Sequence, residues 1–172
     1  MSNPPESSRA ESGGRLPALL TAVLSGGLIA GTLDIVSACL INSLPPRVIL
    51  ESIASGLLGA ASFHDGLRAE LAGLALQWAM SLLIAGIYAV AASRWAALRR
   101  RAIVGGIAYG VLIFLVMNGV VVPLSAAPFH PSLQPLKVVE NLLAMVLFGL
   151  IVAAATQFAR VGRAARRATP GG

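Results

Sequence analysis

AIVGGIAYGVLIFLVMNGVVVPL, residues 102–124, carries no charged side chain and a single amide, Asn118. A helix needs ~20 largely apolar residues to cross ~30 Å of hydrocarbon, and this run is longer than that. Its glycines and one proline are tolerated in a spanning helix, whose backbone groups bond within the segment or to neighbouring helices. The stretch therefore reads as a transmembrane helix. Three further runs pass the same length test, at 16–42, 69–92 and 138–159, so the chain reads as an all-α membrane protein with four transmembrane helices.

Composition agrees. Of the 172 residues, 56% are hydrophobic and 12% charged, with a mean hydropathy of +0.80. Globular domains usually carry about a quarter charged residues, and a soluble domain of this length has too little interior to hide so much apolar surface. The expected partner is the lipid bilayer. The net charge of +6 does not point to nucleic acid, because the arginines cluster at the ends of apolar runs with no interleaved aromatics and no recognition motif. Headgroup contact and the positive-inside rule select that placement.

Charge also orients the chain. Ten of the thirteen Lys and Arg residues, Arg9, Arg15, Arg94, Arg99, Arg100, Arg101, Arg160, Arg163, Arg166 and Arg167, flank one side of the four spans; only Arg47, Arg68 and Lys137 flank the other. Both termini are therefore expected in the cytoplasm. The polar, Ser- and Pro-containing residues 1–15 read as a disordered cytoplasmic tail, 16–160 as the four-helix transmembrane domain and 161–172 as a basic cytoplasmic tail. Between spans one and two, Pro45 and Pro46 discourage continuation of the first helix. In the following segment, 47–63, Arg47, Glu51, Ser55, Gly59 and Ser62 recur at helical spacing opposite an apolar face. It reads as a short amphipathic helix on the outer interface, with a re-entrant segment as the alternative.

The chain also carries signs of a 2+2 internal repeat. GGLIAGTLDI from Gly26 is matched by GGIAYGVLIF from Gly105, and each run is followed by a Phe-His pair (Phe63-His64, Phe129-His130) and by a Glu near the next span's entrance, Glu70 and Glu140. Gly27 and Gly31, and likewise Gly106 and Gly110, stand four apart on one helix face. Lipid gives no hydrophobic reward for helix contact, so close packing at small residues must hold helices together. These faces are expected to pack spans one and three against each other, with a homodimer through the same faces as the alternative.

Asp34 is the leading candidate for chemistry, since a carboxylate inside an apolar span costs at least ~2.5 kcal/mol unless protonated, paired or hydrated. Three residues after Gly31, it lies on the packing face. It serves either as an ion, substrate or proton contact or as a clamp bonded to a polar residue of a neighbouring helix. Gln77, Asn118, Glu140 and Asn141 fall at similar depth in the expected topology and form with it a candidate polar cluster. Taken singly, Gln77 and Asn118 read as interhelical hydrogen-bonding groups, and Glu140 and Asn141 as a solvated helix start.

Other chemistry has little support. Cys39 is the single cysteine, and with His64 and His130 as the only histidines no metal or other cofactor site is expected. Those two histidines read as solvated loop residues, and the proline-rich link PLSAAPFHPSLQP, 123–135, as a stiff extended loop. Trp78, Trp95 and Tyr88 read as packing residues or interface anchors. No nucleotide-binding glycine pattern, His-Glu zinc motif or Ser-His pairing occurs, so the chain is not expected to be an enzyme.

GLIAGTLD at 27–34, LPPR at 44–47 and AYGVLIFLVMNGVVVPLS at 108–125 resemble a group of small bacterial inner-membrane proteins and, more distantly, the YagU type. The links here are shorter than in the YagU type, and Glu140-Asn141 stands near where a His would be looked for, so no site residue is carried over. The resemblance implies a bacterial inner membrane and no particular activity. Two functions remain: a non-enzymatic membrane scaffold or stress-associated protein, or a small-solute or proton-coupled transport protein or subunit. Four helices leave little room for a transport path, so the second requires an oligomer; its small-molecule ligand is unknown.

Overall fold

The computed structural model describes residues 15–126 and 134–168, with side chains for 19–126 and 134–162. Helix α1, Arg15–Asn42, is followed by α2, Pro46–Leu58, which tightens into a 3-10 turn over Gly59–Phe63. Then come α3, Leu67–Arg94, the short α4, Ala96–Arg100, and α5, Ala102–Val116. The last of these runs on through a π-helical turn, Met117–Val121, into α6, Val122–Leu124. Helix α7, Pro135–Ala168, completes the described chain, and no strand occurs among the described residues. Four helical stretches are long and apolar enough to cross a membrane: Leu19–Asn42, Leu67–Arg94, Ala102–Leu124 and Pro135–Gly162. These are spans one to four. Of the segments read as tails, residues 1–14 and 169–172 lie outside the described residues, as do Phe129 and His130. The segment after Ala159 is helical to Ala168, as its Ala- and Arg-rich sequence favours.

Span one stops at Ser43, the one described non-glycine residue with positive φ, 53°. Its N–H reaches Leu40 O and that of Leu44 reaches Cys39 O, closing the last turn before Pro45 and Pro46 forbid another. Pro46 then opens α2 at a position that needs no amide donor. Helix α2 is docked on span two rather than lying apart from the bundle. Ile49, Ala54 and Ser55 are buried, and the Leu50 backbone comes so close to Gly73 that an added Cβ there would sit 3.1 Å from Leu50 Cα. The far end of α2 is pinned by Ala126, whose N–H donates to Gly56 O at 3.0 Å. We call this the cap end of the bundle and the opposite one the arginine end.

In the bundle, span one packs along spans two and four, and span four along spans one and three. The neighbour order is thus two, one, four, three. Half of the core cluster between them is alanine: Ala30, Ala85, Ala92 and Ala153 meet Tyr88, Ile113, Phe148 and Val152. Large apolar side chains such as Leu40, Ile103 and Phe158 face outward, the inverse of a soluble bundle.

The glycine faces do not join spans one and three as the sequence suggested. A Cβ on Gly27 would lie 2.9 Å from Leu82 Cδ2, and one on Gly31 would lie 2.8 Å from Ser81 Cβ, both on span two. A Cβ on Gly106 would stand 3.1 Å from Leu150 Cα, and one on Gly110 2.6 Å from Val146 Cα, both on span four. Each glycine pair therefore seats against the next span along the chain. Opposite Gly106 and Gly110 lies a third glycine, Gly149, which lets the two backbones meet directly. Spans one and two, and spans three and four, stand side by side, whereas spans two and three, joined by the shortest link, are not packed along each other.

Candidate functional site

Asp34 lies on span one, eight residues before Asn42, which places it about 12 Å along the helix from the cap end. Helical spacing puts it on the same face as Gly27 and Gly31. Because those glycines have no side chains, span two comes near enough for Gln77 to reach across: its Nε2 donates to Asp34 Oδ2 at 2.8 Å. The same nitrogen lies 3.4 Å from Gly31 O, a distance at which little bonding remains. One turn further along span two, buried Ser81 donates its hydroxyl to Gln77 O at 2.7 Å and fills the space beside Gly31. At the lipid-facing edge of this seam Trp78 Nε1 donates to Thr32 Oγ1 at 3.3 Å.

The seam brings together two of the five cluster residues. Asn118 sits in the π-helical turn of span three, and its amide donates to Phe114 O of its own helix at 2.9 Å. Glu140 and Asn141 are half-buried in the early turns of span four. No hydrogen bond links Asn118, Glu140 or Asn141 to Asp34 or Gln77 among the described residues. Similar depth did not bring direct bonding, since residues at one depth on different helices can face different neighbours.

Other polar side chains in the spans are bonded locally. Ser25, Ser37 and Thr156 donate to the carbonyls of Thr21, Leu33 and Val152, four residues back. This satisfies a hydroxyl within its own helix and needs no water. No group of three His, Cys, Asp or Glu residues that would hold a metal ion occurs among the described residues. His64 is exposed at the cap end and Cys39 is half-buried as a free thiol.

The reading of residues missed a second set of polar contacts, nearer the arginine end. Tyr109 of span three donates its hydroxyl to Ile84 O of span two at 2.7 Å, and its ring meets that of Tyr88 with centroids 5.0 Å apart. The Tyr88 hydroxyl is buried with no hydrogen-bond partner among the described residues. Gln157 of span four donates to Arg99 O at 2.6 Å, and Arg99 in turn donates Nη1 to Ser93 O at 3.1 Å, fixing the link between spans two and three. The rule that singled out Asp34, a polar group inside an apolar run, applies equally to Gln157 and Tyr109. Compared with known proteins, the chain matches no family model, no curated protein and no solved structure.

Proposed function

We propose that the protein is a non-enzymatic scaffold of the bacterial inner membrane, with both termini in the cytoplasm, whose intramembrane polar residues hold its helices in register. The observation that carries this reading is the Asp34–Gln77 hydrogen bond: the carboxylate deepest in the spans is bound to the adjacent helix. Among the described residues, Asn118, Glu140 and Asn141 make no hydrogen bond to this pair, which supports a holding role for it. The same residues would serve a stress-associated role that depends on a stable membrane-embedded body.

The test compares Asp34→Asn and Gln77→Leu in mild detergent and in liposomes. Asn at position 34 keeps an acceptor for the Gln77 amide, so thermal stability should stay close to wild type. Gln77→Leu removes the donor and should destabilise by about 0.6–1.7 kcal/mol, the range of interhelical hydrogen bonds in membranes. Liposomes containing the wild-type protein should dissipate an imposed proton gradient no faster than empty ones. Proton flux above that background, lost in Asp34→Asn, would favour the proton-coupled transport reading over the scaffold.

A further inference from the structure

The arginine end carries a cationic shelf that no acidic residue among those described neutralises. Within the eight residues 94–101 stand Arg94, Arg99, Arg100 and Arg101, together with Trp95, which is 65% exposed. Arg99 is committed to the fold: its guanidinium donates to Ser93 O, while its own carbonyl accepts from Gln157. Those two bonds tie the link to spans two and four. The side chains of Arg94, Arg100 and Arg101 are exposed and make no hydrogen bond or ion pair with any other described residue. Arg160 stands three residues beyond Gln157 on span four. Every acidic residue among those described, Asp34, Glu51, Asp65, Glu70 and Glu140, lies toward the cap end; Glu6 and Glu11 fall outside the described residues.

The geometry points to a binding site for anionic phospholipid headgroups, formed by Arg94, Arg100 and Arg101 with Trp95 beside them. Three guanidinium groups with no partner among the described residues, on a link held to spans two and four, present donors suited to phosphodiester oxygens. The link joins the ends of two apolar spans, which puts it at headgroup depth, and an exposed indole is the side chain that favours that layer. Lipid rather than soluble phosphate follows from this combination, because a site for a free anion has no use for an exposed indole at the edge of the hydrocarbon.

The test uses the full-length protein in neutral detergent, incubated with equal amounts of phosphatidylglycerol and phosphatidylcholine bearing the same acyl chains. The ratio of the two lipids retained is read by native mass spectrometry. Wild type should retain phosphatidylglycerol in excess. Arg94→Gln, Arg100→Gln and Arg101→Gln should each lower the ratio by up to about five-fold, and the triple variant more than any of them. Arg47→Gln/Arg68→Gln, at the cap end, should leave the ratio unchanged. Equal retention by wild type, or a triple variant whose ratio is no lower than that of the cap-end control, would overturn the proposal. Displacement of phosphatidylglycerol by equimolar inorganic phosphate would overturn the assignment to lipid. Should the triple variant fail to fold, the three single variants decide by the same comparison with the control.

Discussion

Replacing Gly31 by Ala tests whether the contact between spans one and two depends on an empty position. The new Cβ would overlap Ser81 Oγ and stand 2.8 Å from Ser81 Cβ. The hydroxyl can turn away, but Ser81 Cβ is fixed to the span-two backbone, so ordinary contact near 3.5 Å requires the helices to part by about 0.7 Å. The same displacement would carry the 2.8 Å Gln77–Asp34 bond to the limit of hydrogen bonding. Overpacking costs about 1–3 kcal/mol and the weakened bond up to about 1.7 kcal/mol. The better helix propensity of Ala returns about 0.5–1 kcal/mol. The net expectation is a loss of about 1–3 kcal/mol, read as a lower unfolding temperature in mild detergent. Adding Ser81→Gly moves the side chain from span two to span one and should restore most of the loss. Gly86→Ala and Gly119→Ala, where an added Cβ meets nothing within 4 Å, should be neutral or slightly stabilising. Wild-type stability in Gly31→Ala, or no recovery in the double variant, would refute the packing argument.

Three further expectations follow from the same structure. Gly110→Ala should cost more than Gly31→Ala, because its Cβ would lie 2.6 Å from Val146 Cα, a backbone atom with no rotamer to yield; equal losses in thermal unfolding would contradict this. Ser43→Gly should stabilise by about 1 kcal/mol, since φ 53° strains any residue with a Cβ; an unchanged unfolding temperature would show that the turn is unstrained. Reporter fusions after Arg99 and at the C-terminus should both give cytoplasmic signals, and one near Phe129 an external signal; opposite signals from the first two would break the four-span topology.

Part of the site was legible from residues alone. Gly27, Gly31 and Asp34 share a face by helical spacing, and the cost of an isolated carboxylate in lipid demanded a partner. That the partner is Gln77 was not legible, because Asn118, Glu140 and Asn141 satisfied the same depth argument. Depth along a helix is counted from its ends, whereas facing depends on which helix stands alongside. Gln157, which ties down Arg99, carried the same signal as Asp34 and shows that one polar-in-apolar rule finds structural and chemical residues alike.

By itself the sequence determined the four spans, because the apolar length that crosses a bilayer is a local property of each run, such as 102–124. It likewise determined the contrast between the arginine-bearing end and the cap end, because clustered arginines are too costly to place in the hydrocarbon and stop at its edges. Tertiary structure alone decided that Gly31 meets Ser81 while Gly110 meets Val146, that the spans stand in the order two, one, four, three, and that α2 docks on Gly73. In lipid every apolar face is equally well solvated, so hydrophobicity does not choose among neighbours; the choice falls to the fit of small residues and to the few hydrogen bonds that fit allows.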